Sequence, residues 1–445
     1  MKPLLLVTGP PATRSGYGAH TRDLIHSLLD MNKFDIKINS LPWGNCPMNA
    51  LNEQNPKDKL IIDRFVIDGR IERQPEIHIQ VSVPNEFNPI GKYNIGITAG
   101  MESTVPVASW IDGLNRMNLN IVPSNFVKQT FKNVSYDKIN EITKEPVGQL
   151  RVERPMEVLF EGADLNIYKK TKEFSKELVN EIDKISEKFA FLYTGHWLQG
   201  KLGHDRKDTG MLVKTFLETF KNKKNPPALL MKTSGATFSV IDRNEILSKI
   251  ESIKETVSYK TLPNIYVLHG DLEDDEMNEL YNHPKVKAHV TFTHGEGFGR
   301  PLLEATLSEK PIIAPNWSGH IDFLSKGNSV LLPGTLIDVD KSSIPKDMLQ
   351  EGAKWFGVNY QYAGQMLMKV LKENKKYTLN AKKMAMFNRS KFSLDSMTKE
   401  FENILDKHLP NFEEQPQAVN LKLPKLKKVG QTAPSKIKLP KLKKV

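Results

Sequence analysis

Short apolar runs rich in β-branched residues recur along the first three quarters of the chain. Stretches with apolar residues at helical spacing separate them. LLLVT (4–8) predicts a first buried strand. A polar, glycine-containing turn follows, and then AHTRDLIHSLLDM, whose Leu24, Ile25, Leu28 and Leu29 mark one helical face. FDIKINS (34–40), EIHIQVSVP (76–84) and YNIGITAG (93–100) predict further strands, and residues 105–117 a helix. NIVPSNFVKQTF (120–131) predicts a strand and then a helix capped by Ser124. PMEVLFEGADLNIY (155–168) reads as a strand, a turn and an exit, and a charged helical stretch reaches Lys188. The alternation then resumes with FAFLYTG (189–195), PPALLMKTSG (226–235) and IYVLHGDLEDDEMNELYNH, in which Asp271 is the expected helix N-cap. Helical spacing covers 360–392 and again 392–409. Strands alternating with helices predict α/β structure with parallel sheets covered on both faces.

Residues 293–322 carry the most chemistry. AHVTF predicts a buried strand, and THGEGFGRPLLE follows it. Pro301 suits the first turn of a helix, where its missing N–H costs nothing. PIIA (311–314) is the next strand, which completes one βαβ unit. Gly295, Gly297 and Gly299 allow positive φ and close approach of a ligand. The free amides and the helix N-terminus favour a phosphate or diphosphate, and carboxylates at such a turn accept hydrogen bonds from sugar hydroxyls. Glu296 and Glu304 bracket the turn. The other strand–glycine–helix unit, GPPATRSGYG (9–18), is a second candidate phosphate or acceptor loop. Lys207 and Lys232 are basic residues near strand ends, where they can neutralise the charge on a departing phosphate. His78, Glu86, Glu102 and Ser124 fall at or just past strand ends of the first half, where α/β sheets gather ligands.

Composition adds bounds. A chain of 445 residues suits two domains rather than one core, and 39% apolar content marks a globular protein. The single cysteine, Cys46, excludes an intrachain disulfide and fits a reducing, cytoplasmic setting. The apolar run at the N-terminus is too short for a signal-peptide core, and no run approaches a membrane span. No metal-ligand cluster is evident, so neither a metal nor another cofactor is expected.

The run from Glu296 to Glu304 resembles the Glu-x7-Glu signature of retaining glycosyltransferases of family 4, with GFGRPLL as its filling. The likeness is strongest at 189–325 and extends, more weakly, over the chain to about residue 410. It implies the GT-B architecture, two Rossmann-like domains facing across a cleft: an acceptor domain at 1–164, a linker at 165–188, and a sugar-nucleotide domain at 189–391. A helix at 392–410 then crosses back onto the first domain. By the same resemblance Glu296 contacts the donor sugar and Glu304 the nucleotide ribose. Gly16 and Gly18 lie beside the diphosphate. Arg206 and Lys207 match an Arg-Lys pair in the loop after the first strand of the second domain. Lys207 and Lys232, with Thr233, Phe298, Arg300 and the amides of Gly297 to Gly299, complete the expected donor site, and His78 and Glu102 are acceptor-side candidates. The family commonly has arginine after the glycine ending that first strand. Here His196 follows Gly195, which leaves the arginine's role to Arg206, Lys207 or Arg300. Retention without an obvious nucleophile suggests same-face attack, the leaving phosphate taking the acceptor's proton.

The basicity is a property of the tail. Residues 420–445 hold nine lysines and no acid, and setting those nine aside reduces the net charge from +11 to +2. LKLPKLKKV (421–429) returns as IKLPKLKKV (437–445). A proline in each copy opposes helix, so disorder is expected at 411–445. Two copies, with Lys422, Lys425, Lys427, Lys428, Lys438, Lys441, Lys443 and Lys444, suit bivalent contact with a polyanion: nucleic acid, an anionic membrane or an acidic protein. The acceptor expected on that ground is DNA carrying hydroxymethylated bases, as in certain viral glycosyltransferases. The alternatives are transfer to a polysaccharide or lipid-linked glycan, or a non-catalytic binder of nucleic acid or an acidic partner.

Overall fold

The computed structural model describes residues 2–140, 142–235, 237–325, 327–343 and 350–412, so the repeated lysines of the tail and its expected disorder lie outside the described residues. Two six-stranded parallel sheets dominate. In the first the spatial order is Asp35–Ser40, Leu4–Gly9, Ile77–Val81, Tyr93–Ile97, Leu119–Val122 and Met156–Val158. In the second it is Ile265–Leu268, Ala228–Ser234, Ala190–His196, Val286–Val290, Ile312–Pro315 and Val330–Leu332. Each is a doubly wound sheet in which the strand order reverses beside the first strand. Each therefore has a crevice at its carboxyl edge.

The central strands are the continuous apolar runs, because helices cover both of their faces. Every residue of Leu4–Gly9 is buried, as are Phe191, Leu192 and Tyr193 in the second domain. Helix Gly16–Met31 starts where Ser15 accepts the Gly18 amide at 2.9 Å and ends at Asn32, whose φ of 53° is left-handed. Ser124 caps Asn125–Lys132 as expected, accepting the Val127 amide. Asp271 does not cap the helix after it. Glu273 does, in a reciprocal capping box with Glu276 that supplies two backbone partners where Asp271 supplies none.

The last helix, Leu394–His408, returns to the first domain. Thr398 and Ser27 share a hydroxyl hydrogen bond at 2.7 Å, and Lys33 reaches Glu402 at 2.9 Å and Asp406 at 2.8 Å. The apolar run at 360–392 is two helices, Tyr360–Lys372 and Asn374–Lys391. Among the described residues no helix is long and apolar enough to cross a membrane.

Candidate active site

The carboxyl edges of the two sheets face a common cavity of about 580 Å³, lined from the first domain by the 14–17, 43–47 and 97–102 loops and from the second by residues 194–198, Arg206, Lys207, Phe238 and residues 296–302. The Gly-rich turn is held rigidly within it. The Glu296 amide donates to Ser318 Oγ at 2.9 Å, and the Gly319 amide donates to Glu296 O at 2.9 Å. Gly299 has φ of 95° and starts the short helix Arg300–Thr306. Gly297 serves the contact between domains. A Cβ there would lie 2.3 Å from Ala99 O, and its own carbonyl accepts Ser124 Oγ from the first domain at 2.6 Å. The amides of Gly297, Phe298 and Gly299 have no acceptor among the described residues, which leaves them to a ligand.

Charge surrounds this turn in pairs. Lys207 Nζ donates to Glu296 Oε1 in a close contact with side chains only 14% and 12% exposed. Burial pushes the Glu296 carboxyl up, but Lys207 and Arg206 outweigh it and hold the group below the usual carboxylate range. Arg206 pairs with Glu102 of the first domain at 2.5 Å. Arg300 Nε donates to Glu304 at 2.8 Å, and its Nη1 contacts Asp23 on the first domain's opening helix. Burial drives the Glu304 carboxyl up to about 7 against the pull of Arg300. Arg14 joins Asp271 at 3.2 Å and Glu273 at 2.7 Å. Four ionic contacts thus pair basic residues with carboxylates from the other domain.

Of the expected residues, Gly16, Glu102, Arg206, Lys207, Glu296, Gly297, Phe298, Gly299 and Arg300 line the cavity. Glu304 lies one helical turn behind Arg300, which screens it. Lys232 does not line the cavity. Its ammonium donates to Gly270 O at 2.8 Å and stands 5.4 Å from the ring centre of Phe238, which does. Thr233 is buried in the sheet, with its hydroxyl unpartnered. Gly18 is a packing glycine: a Cβ would fall 2.3 Å from Thr13 O, and its amide is committed to Ser15. The Phe298 ring turns away into the second domain's core, 5.0 Å from Phe323. His78 lies within its strand rather than at its end, 1% exposed, with Nε2 2.9 Å from Thr8 Oγ1, so sheet and helix packing hide it from the cleft.

Several lining residues escaped the sequence analysis. Tyr17, between the two glycines of the first loop, stacks on Trp43 with centroids 4.0 Å apart. Glu161 is buried in the cavity wall with no hydrogen bond or ion pair among the described residues, and burial raises it to about 7. Its signal was available, a carboxylate in the exit turn after the last strand of a ligand-binding sheet. His196, where an arginine was expected, bonds Ser234 at 3.1 Å; the residue is exposed, and partial desolvation of its ring together with the charges of Arg206, Lys207 and Lys232 lowers its pKa. Among the described residues no group of three or more His, Cys, Asp or Glu could hold a metal ion. The arrangement can bind an anion on free amides and paired cations, and can present two carboxylates to hydroxyls.

No protein-family model matches the chain, and no curated protein does. Solved structures do. Sucrose-phosphate synthase from Thermosynechococcus elongatus superposes with a TM-score of 0.59 at 11% identity, over 92% of this chain and 99% of that one. A glycosyltransferase from Rickettsia africae gives 0.57 at 15% identity, over 92% and 100%. HepE of Anabaena, solved in complex with UDP and glucose, gives 0.55 at 12% identity, over 91% and 100%. The two-Rossmann fold is therefore shared with these enzymes along nearly the whole described chain.

Proposed function

We propose that this protein is a glycosyltransferase that moves a sugar from a nucleotide sugar to an acceptor hydroxyl, with retention at the anomeric carbon. The observation that carries the proposal is the Lys207–Glu296 pair beside the uncommitted amides of Gly297 to Gly299, in a cavity between the carboxyl edges of two Rossmann-like sheets. HepE, which shares the fold, binds UDP and glucose, and the donor proposed here is of that class. The diphosphate would rest on the three amides, with Lys207 and Arg206 taking up the charge of the leaving nucleotide. Glu296, kept ionised, would accept a sugar hydroxyl and stabilise positive charge developing on the ring. Glu304 would hold the ribose once Arg300 turns aside.

In the step itself the bond from the anomeric carbon to the phosphate oxygen breaks and the acceptor oxygen bonds that carbon on the same face. The acceptor's proton passes to the departing phosphate oxygen. The acceptor proposed is DNA with hydroxymethylated bases, on the strength of the lysine-rich repeats. Thermal unfolding of the full chain with UDP-, GDP- and ADP-sugars tests the donor. A bound donor at a hundred times its Kd adds about 2.7 kcal/mol of stability. No shift with any nucleotide sugar overturns the proposal.

A further inference from the structure

We propose that Trp43, stacked on Tyr17, is the platform on which the acceptor ring rests, and that the ring is a pyrimidine base turned out of a nucleic-acid strand. This deepens the proposed function and rests on its DNA acceptor. Both rings line the cavity from the first domain, stacked 4.0 Å apart at an interplanar angle of 24°. Tyr17 is fixed in place. Its hydroxyl pairs with Thr98 Oγ1 at 3.1 Å and accepts the Ala99 amide at 3.0 Å.

The loop carrying Trp43 is tied by its backbone to the first strand and the turn after it. Leu41 N donates to Gly9 O at 2.7 Å, Arg14 N to Pro47 O at 2.9 Å and Ala50 N to Ala12 O at 3.0 Å. Tyr17 covers one face of the indole. No other ring of the described residues stacks on it, and Trp43 is only half-buried. The platform is thus pre-ordered, and so little ordering entropy opposes a ring settling on it.

Size and charge favour a base. A cavity of about 580 Å³ is of single-ligand scale, so a polymeric acceptor must present one extruded unit. Enzymes that act on a base within a strand take it out of the stack and hold it against aromatic side chains. A flat indole matches a flat base, and Asn45 on the same loop also lines the cavity. The strand's phosphates would then lie outside the cavity, and the sequence offers them opposite charge in the nine lysines of residues 420–445, which fall outside the described residues.

Cys46 provides a reporter: it is the only cysteine, lies three residues beyond Trp43, and lines the same cavity. The test uses the full chain, UDP-glucose and a single-stranded oligonucleotide containing 5-hydroxymethylcytosine. Sugar transfer is followed together with the rate of Cys46 alkylation by iodoacetamide. The oligonucleotide should slow alkylation. Trp43→Ala should raise its KM about tenfold, more than the donor's, while Trp43→Phe restores most of the loss because a stacking face remains. If the wild type modifies the oligonucleotide and Trp43→Ala leaves that KM unchanged, the platform is wrong and the DNA acceptor stands. If a glycan is modified instead, with a KM that depends on Trp43, the assignment to a base is overturned. Absence of any nucleotide-sugar binding defeats the proposed function itself.

Discussion

Replacing Lys207 with methionine removes the cation from an enclosed ion pair of the site while keeping most of the side chain's volume. Glu296 would be left 12% exposed on its side chain, with Arg206 its nearest remaining cation, already bonded to Glu102. Breaking one partner of a buried pair costs about 3–5 kcal/mol, because the stranded charge keeps its desolvation penalty. Arg206 still faces Glu296, so the lower end, about 3 kcal/mol, is expected. Glu296→Gln in the same background removes the stranded charge and should recover most of the loss. A surface pair supplies the control. Lys33 and Asp406 are 39% and 61% exposed, and Lys33→Met should cost no more than about 1 kcal/mol. Urea unfolding of wild type, both single variants and the double variant closes the cycle. A Lys207→Met loss no larger than that of Lys33→Met, or a double variant no more stable than Lys207→Met, refutes the claim that Lys207 keeps Glu296 ionised.

Acid should destabilise the fold. Burial lowers His20 to about 3 and His78 and His294 to about 4, so their stabilising contribution is complete above the ordinary histidine pKa of about 6.5 and is lost as pH falls toward those values. Glu161 and Glu304, raised to about 7, act oppositely over the range up to pH 7 but are fewer; a urea midpoint that rises from pH 7 to pH 5 contradicts this balance. Gly297→Ala should keep the domains from closing, since its Cβ would meet Ala99 O at 2.3 Å; binding of UDP-glucose by calorimetry should weaken at least tenfold, and unchanged affinity would show that closure is not needed. Deleting residues 420–445 should weaken binding to duplex DNA and flatten its dependence on salt, and an unaltered salt slope would separate the lysine repeats from nucleic acid.

Much of this fold was legible because both sheets are parallel and buried on both faces. Their strands therefore read as unbroken apolar runs, and the helices between them show the complementary spacing. The glycine-rich turn and Glu296 were legible because their chemistry is local in sequence. Partnership across the cleft was not. Nothing near Asp23 announces Arg300, and nothing near Glu102 announces Arg206, since each pair joins residues more than a hundred positions apart. His78 shows the opposite failure: a polar residue beside a strand end in sequence proved to be a packing residue within the strand, with Nε2 against Thr8 and Nδ1 left without a partner among the described residues. Trp43 lies in a loop without periodicity, and only its stacking on Tyr17 reveals what it faces.

The paired charges change how anion binding must work here. Arg300 meets Asp23, Arg206 meets Glu102 and Arg14 meets Glu273, each carboxylate belonging to the other domain. A cleft of unpaired cations would attract a diphosphate by field alone, and salt would weaken that attraction strongly. In this cleft a diphosphate bound as proposed would instead exchange carboxylate partners for phosphate oxygens, and its affinity would be the difference between two sets of ion pairs. The amides of Gly297 to Gly299 meet no carboxylate among the described residues, so they would supply the part of that binding that no exchange cancels. The same guanidinium groups join the two domains, so a donor that drew Arg206 or Arg300 from its carboxylate would need contacts of its own with the first domain's 14–17 loop to keep the domains closed on it.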